Sequence, residues 1–138
     1  MLECLILGDS IAVGVTAARP ECVHMATVGI NSRDWWHSNG HRPLIDMMEY
    51  HTVVISLGTN DGQTPTLTYL ELIRGKVKAD RVLWIVPQAQ FAEARSAVLA
   101  VADQFRDSII EIPTKDLARD KIHPTASGYQ SLAAATKN

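Results

Sequence analysis

The chain is poor in the features that would place it in several large classes of protein. Only 2 of its 138 residues are cysteine. Cys4 and Cys22 sit in apolar, strand-like runs without basic neighbours or paired spacing, so both are expected as buried free thiols, with neither a disulfide nor a catalytic role. Its 13 Lys and Arg residues are dispersed and the formal net charge is -2. A nucleic-acid partner is therefore not expected, because neutralising phosphates requires a concentrated basic surface. No segment approaches the roughly 20 apolar residues that span a bilayer. The first apolar run, Leu5-Ile6-Leu7, ends at Gly8 with no basic leader or cleavage site, which makes the cytoplasm the expected location. His24, His37, His41 and His51 show no ligand spacing with Cys, Asp or Glu, so neither a metal nor another cofactor is expected. A glycine-rich phosphate loop is also missing: the stretch Gly8 to Gly14 carries Asp9 where an anion would sit.

What remains is an ordinary globular composition, 46% hydrophobic and 20% charged. A chain of this length forms one domain, here residues 1–138, and buries roughly 70% of its unfolded surface. Five apolar runs recur: Cys4 to Leu7, Cys22 to Val28, Val53 to Leu57, Arg81 to Val86 and Ser108 to Ile112. Their hydrophobicity is continuous rather than alternating, as in strands buried on both faces of a parallel sheet. Between them, Leu70, Ile73 and Val77 mark one helical stripe, and Phe91, Ala94, Val98, Val101, Ala102 and Phe105 mark another. Thr125 after Pro124 is placed to cap a last helix whose inner face is Tyr129, Leu132 and Ala133. Residues 32–49 read as two short helical pieces with a turn near Ser38-Asn39-Gly40 and Pro43. Alternating strands and helices predict an α/β domain with five parallel strands and helices on both faces.

Four short blocks follow the strands in order: Gly8-Asp9-Ser10, Gly29-Ile30-Asn31-Ser32, Gly58-Thr59-Asn60-Asp61 and Asp120-Lys121-Ile122-His123. In an open parallel sheet, sites lie beyond the carboxyl ends of the strands where strand order reverses. If the first and third strands flank that point, Ser10 and Asn60 face one crevice. Ser10, at the start of a helix, is then placed as a nucleophile that also offers its own amide. It needs a base, which His123 can be, and Asp120 is placed to orient the imidazole. Asn60 can donate to an oxyanion, joined by a backbone amide of the second block. The third block is the most specific of the four. Composition alone would produce it in roughly one chain of this length in a thousand, so its occurrence in order with the others carries the reading.

With these blocks the chain resembles the SGNH hydrolases, the GDSL esterase superfamily, over residues 8 to 123. The resemblance implies a three-layer α/β/α flavodoxin-like fold and metal-independent serine ester hydrolysis through an acyl-enzyme. It implies Ser10, His123 and Asp120 as catalytic residues and Ser10, Ser32 and Asn60 as oxyanion donors. The family's second block carries a glycine where Ser32 stands; a serine amide can serve, and Gly29 is the alternative. Trp35 and Gln88 are candidate substrate contacts. The expected substrate is a small-molecule or saccharide ester with a short acyl group such as acetyl. Lysophospholipase or thioesterase activity, with an apolar channel from Trp35, Trp36, Met47 and Met48, is the alternative within the fold; a noncatalytic carbohydrate-binding module is the alternative outside enzymes.

Overall fold

The computed structural model describes residues 1–38, 40 and 42–137, with the side chains of residues 42–44 left aside. The chain runs β1 (Leu2–Gly8), α1 (Ser10–Ala18), β2 (Val23–Ala26), α2 (Ser32–Trp36), α3 (Arg42–Met47), β3 (Tyr50–Ser56), α4 (Thr66–Lys76), β4 (Ala79–Ile85), α5 (Ala92–Phe105), β5 (Ser108–Ile110) and α6 (Ala126–Ala135). The two helical pieces expected over 32–49 are α2 and α3; of the turn expected there, Asn39 and the side chain of Pro43 lie outside the described residues, as do His41 and the side chain of Leu44.

All five strands are parallel, in the order β2-β1-β3-β4-β5. Order reverses between β1 and β3, the pair expected to flank the crevice. The apolar runs fill both faces of this sheet. Leu5, Leu7, Val53, Ile55, Val82 and Trp84 pack on one face with Trp35, Leu70, Ile73, Val98 and Val101. Cys4, Ile6, Val54, Leu83 and Ile85 pack on the other with Ile11, Val15, Leu132 and Ala133. Two-sided burial explains why the strands read as unbroken apolar runs. β2 and β5, at the edges, are four and three residues long, shorter than their apolar runs. Thr125 caps α6, its hydroxyl accepting from the Gly128 N–H at 3.1 Å. A partly buried ion pair ties α4 to the end of α5: the Arg74 guanidinium makes bonds of 2.7 and 2.9 Å to Asp107, which also accepts from the Trp84 indole N–H.

One expectation is overturned. Cys4 and Cys22 are joined in a disulfide. The register pairs Leu5 with Val23, which sets the preceding residues, Cys4 and Cys22, side by side at the amino ends of β1 and β2. The bridge closes a loop that contains all of α1. In the chain-entropy account, a closure of this size stabilises by about 3 kcal/mol.

Candidate active site

β1, β2 and β3 deliver the first three blocks to the same sheet edge, and the fourth lies on a turn before α6. Gly8 ends β1 opposite Ser56 of β3. Asp9 then caps α1, its Oδ1 accepting from the Ile11 N–H at 3.1 Å, and Ser10 is the first helical residue. Among the described residues nothing accepts from the Ser10 N–H, which is one of the free donors of a first helical turn.

The fourth block is a tight turn. The Ala118 N–H donates to the His123 carbonyl at 2.8 Å, and Leu117 and Pro124 form an antiparallel bridge. Lys121 occupies the left-handed region at φ 59°, costing roughly 1–2 kcal/mol for a residue with a Cβ. That conformation folds the chain back so that Asp120 Oδ1 accepts from the N–H groups of both Ile122 (2.9 Å) and His123 (3.0 Å). Asp120 Oδ2 lies 2.6 Å from His123 Nδ1, and His123 Nε2 lies 2.8 Å from Ser10 Oγ, across 113 residues of sequence. The hydrogen bond from His123, followed by those from the two amides, lowers the Asp120 pKa to about 2, so the carboxylate is ionised at neutral pH. An ionised carboxylate only accepts, so the His123 proton resides on Nδ1 and Nε2 is left to accept from Ser10 Oγ–H. Ser10 is half-buried and the His123 and Asp120 side chains are 41% and 46% exposed, so this relay is open to solvent.

The second and third blocks meet across the crevice, but not as expected. Ser32 is fully buried, and its amide donates to Asp61 Oδ1 at 2.9 Å. Its hydroxyl donates to Asp61 Oδ2 at 2.5 Å. The one hydrogen of the Ser32 amide is thus spent on a carboxylate, which removes it as an oxyanion donor. Gly29 is exposed at φ 78°, its N–H has no acceptor among the described residues, and a Cβ there would meet nothing within 4 Å. Asn60 Nδ2 donates one hydrogen to the Ile30 carbonyl at 3.2 Å and retains a second.

Trp35 is also corrected. It is fully buried, and its indole N–H donates to the Met25 carbonyl at 2.9 Å, so it belongs to the core and touches no substrate. Trp36 is buried beside it, and Met47 and Met48 precede β3 at the opposite sheet edge, so these four residues form no channel at the site. Gln88 is half-buried beyond β4, its carbonyl accepting from the Phe91 N–H. Gln90, which carries no sequence signal, donates through Nε2 to the Lys121 carbonyl at 3.0 Å and ties the β4–α5 loop to the His123 turn. A cavity of about 300 Å³ borders the third block, lined by Gly58, Thr59, Asp61, Gly62, Gln90 and Phe91. A larger one of about 600 Å³ lies between α4 and α5, away from the relay. Among the described residues no group of three or more His, Cys, Asp or Glu could hold a metal ion, and no helix is long and apolar enough to cross a membrane.

Beneath the nucleophile, Asp9 is fully buried. Its Oδ1 also accepts from the Ser56 hydroxyl at 3.0 Å, while Oδ2 has no partner among the described residues. Burial raises its pKa from 3.8 to about 6, against the lowering effect of these hydrogen bonds. Between those values the folded state holds a proton that the unfolded state has released, so stability falls as pH rises from about 4 to 6. The cost above pH 6 is about 3 kcal/mol. Asp9→Asn is expected to be less stable than the wild type at pH 4, where it brings unsatisfied N–H groups to the Oδ2 position, and to gain on it by up to about 3 kcal/mol by pH 7. Urea denaturation at both pH values measures this; a difference independent of pH would refute it.

No family model matches the chain, and no curated protein matches it. Solved structures do. A lipase/acylhydrolase from Enterococcus faecalis superposes with a TM-score of 0.74 at 20% identity, over 97% of this chain and 92% of that one. A GDSL-like lipase from Bacteroides thetaiotaomicron VPI-5482 gives 0.68 at 16% identity, over 98% and 85%. The C-terminal catalytic domain of Streptococcus pneumoniae peptidoglycan O-acetyltransferase A, bearing a methylsulfonyl adduct, gives 0.65 at 16%, over 99% and 90%. Together with the 2-1-3-4-5 strand order, these likenesses give the chain the fold of the SGNH, or GDSL, hydrolases.

Proposed function

We propose that the protein hydrolyses carboxylic esters at Ser10 through an acyl-enzyme. The observation that carries this reading is the continuous relay from Asp120 through His123 to Ser10, with contacts of 2.6 and 2.8 Å. Ser10 Oγ attacks the ester carbonyl while His123 Nε2 takes its proton, and Asp120 stabilises the imidazolium. The tetrahedral oxygen is held by the Ser10 amide, the free Asn60 Nδ2 hydrogen and the Gly29 amide, which replaces Ser32 in this role. Collapse expels the alcohol, protonated by His123, and leaves the acyl group on Ser10. His123 then activates water to release the acid.

The open relay, without the apolar channel, favours a short acyl group on a larger polar carrier such as a saccharide over a long-chain lysophospholipid or thioester. The Cys4–Cys22 disulfide favours an oxidising compartment over the cytoplasm.

The direct test is trapping. A fluorophosphonate should add one phosphonyl group to the wild type, located on Ser10 by peptide mass spectrometry, and should block turnover of p-nitrophenyl acetate in proportion to labelling. Labelling elsewhere, or activity that survives full labelling of Ser10, would overturn the assignment and leave a carbohydrate-binding module as the reading to pursue.

A further inference from the structure

Asp61 and Ser32 are both buried in the crevice floor, and neither belongs to the relay. Ser32 supplies a donor to each oxygen of the Asp61 carboxylate, at 2.9 and 2.5 Å, across 29 residues of sequence. Asp61 is held in turn by its own backbone, its amide bonded to the Gly58 carbonyl and its carbonyl to the Thr64 N–H. One residue earlier, Asn60 reaches back to the Ile30 carbonyl. Positions 60 and 61 therefore grip positions 30 and 32 of the loop that begins at Gly29. The gripped loop needs an anchor. It follows a four-residue edge strand, and the backbone bonds within and beside it run from Thr27 N–H to the Gly8 carbonyl and from Ile30 N–H to the Thr27 carbonyl.

We propose that the Asp61–Ser32 pair is a clamp that sets the spacing of the Gly29 and Asn60 oxyanion donors, which makes Asp61 a positioning residue for the reaction. This rests on the esterase reading and extends it. A buried carboxylate without a basic partner among the described residues is costly to keep, and here its hydrogen bonds go to the loop whose placement the chemistry needs. A donor misplaced by about 1 Å stabilises the transition state poorly while ground-state binding survives. The clamp also accounts for a serine in place of the family's glycine at position 32: the hydroxyl adds a second bond to Asp61 that glycine lacks.

The test is a double-mutant cycle on p-nitrophenyl acetate. Asp61→Ala is expected to lower kcat about 30- to 100-fold with KM within about twofold. Asp61→Asn should recover most of that loss, because Oδ1 still accepts from the Ser32 amide and the Ser32 hydroxyl can turn to accept. Ser32→Ala should cost about fivefold. In an Asn60→Ala background, where there is no longer a spacing between two donors to set, Asp61→Ala should lose most of its effect. Effects that multiply in full, or losses in kcat and KM that follow the loss of thermal stability, would overturn the clamp. If Asp61→Ala does not fold, Ser32→Ala carries the same cycle, its roughly fivefold cost being expected to vanish in the Asn60→Ala background. Additive variants in a protein whose turnover requires Ser10 refute the clamp alone, whereas turnover indifferent to Ser10 refutes the esterase reading beneath it.

Discussion

Ser10→Ala should lower kcat/KM for an ester substrate at least about 1000-fold while leaving the melting temperature within a few degrees of the wild type. Among the described residues the side chain being removed makes one hydrogen bond, to His123 Nε2, and alanine is the better helix former at that position. In the proposed reaction Ser10 Oγ is the group that takes the acyl chain, so its removal should leave little more than the background rate. His123→Ala should fall comparably, since the relay acts as a unit and removing either member leaves only the oxyanion donors and binding. Asp120→Asn separates two roles. Its Oδ1 can still accept from the Ile122 and His123 amides, so the turn survives, but its NH₂ would face His123 Nδ1 and favour the tautomer that cannot accept from Ser10. A loss of about 1000-fold or more with an unchanged fold is expected there too. Because surface nucleophiles cleave p-nitrophenyl acetate weakly, the comparison must include the fluorophosphonate-blocked wild type. Equal rates for wild type and Ser10→Ala, in folded protein, would refute the role given to Ser10.

The central strands were readable because burial on both faces leaves a run such as Val53 to Leu57 with no polar alternation to confuse it. The edge strands are shorter than their apolar runs: Val28 continues the apolar texture of β2 after its pairing with β1 has ended at Ala26. The disulfide was not readable. Each cysteine looks like a core residue of its own run, and only the register of β1 on β2 reveals that the two are neighbours. The relay residues stood out because their motifs are short and ordered, and strand order brings the ends of β1 and β3 together whatever the loops do. The fate of the Ser32 amide was hidden for the opposite reason: it depends on a carboxylate 29 residues away, and no local pattern announces that bond. Trp35 misled because adjacency to a site block says nothing of direction. α2 turns that side chain into the core, where its N–H finds the Met25 carbonyl.

The largest stability effect expected of any glycine substitution is at Gly8. Its φ is 139°, and a Cβ there would lie 1.9 Å from the carbonyl oxygen of Ser56 and 2.7 Å from its carbonyl carbon. Those are backbone atoms of the neighbouring strand, so no side chain can swing aside. Gly8→Ala must part β1 from β3 where the Asp9 N–H donates to the Ser56 carbonyl and the Ser56 hydroxyl to Asp9 Oδ1. Backbone strain of roughly 1–3 kcal/mol adds to two buried hydrogen bonds at roughly 1–3 kcal/mol each, giving about 4 kcal/mol or more. That is a large share of the roughly 5–15 kcal/mol a domain possesses, and it should lower the melting temperature by about 15 °C or more. Gly62→Ala supplies the control. Its φ of 53° is also left-handed but a Cβ there meets nothing within 4 Å, so only the conformational strain of roughly 1–2 kcal/mol is expected. If the two variants melt together, close approach at Gly8 is not what the β1–β3 junction requires. If Gly8→Ala alone collapses, the tight exit from β1 that sets Ser10 opposite His123 depends on the absence of a single methyl group.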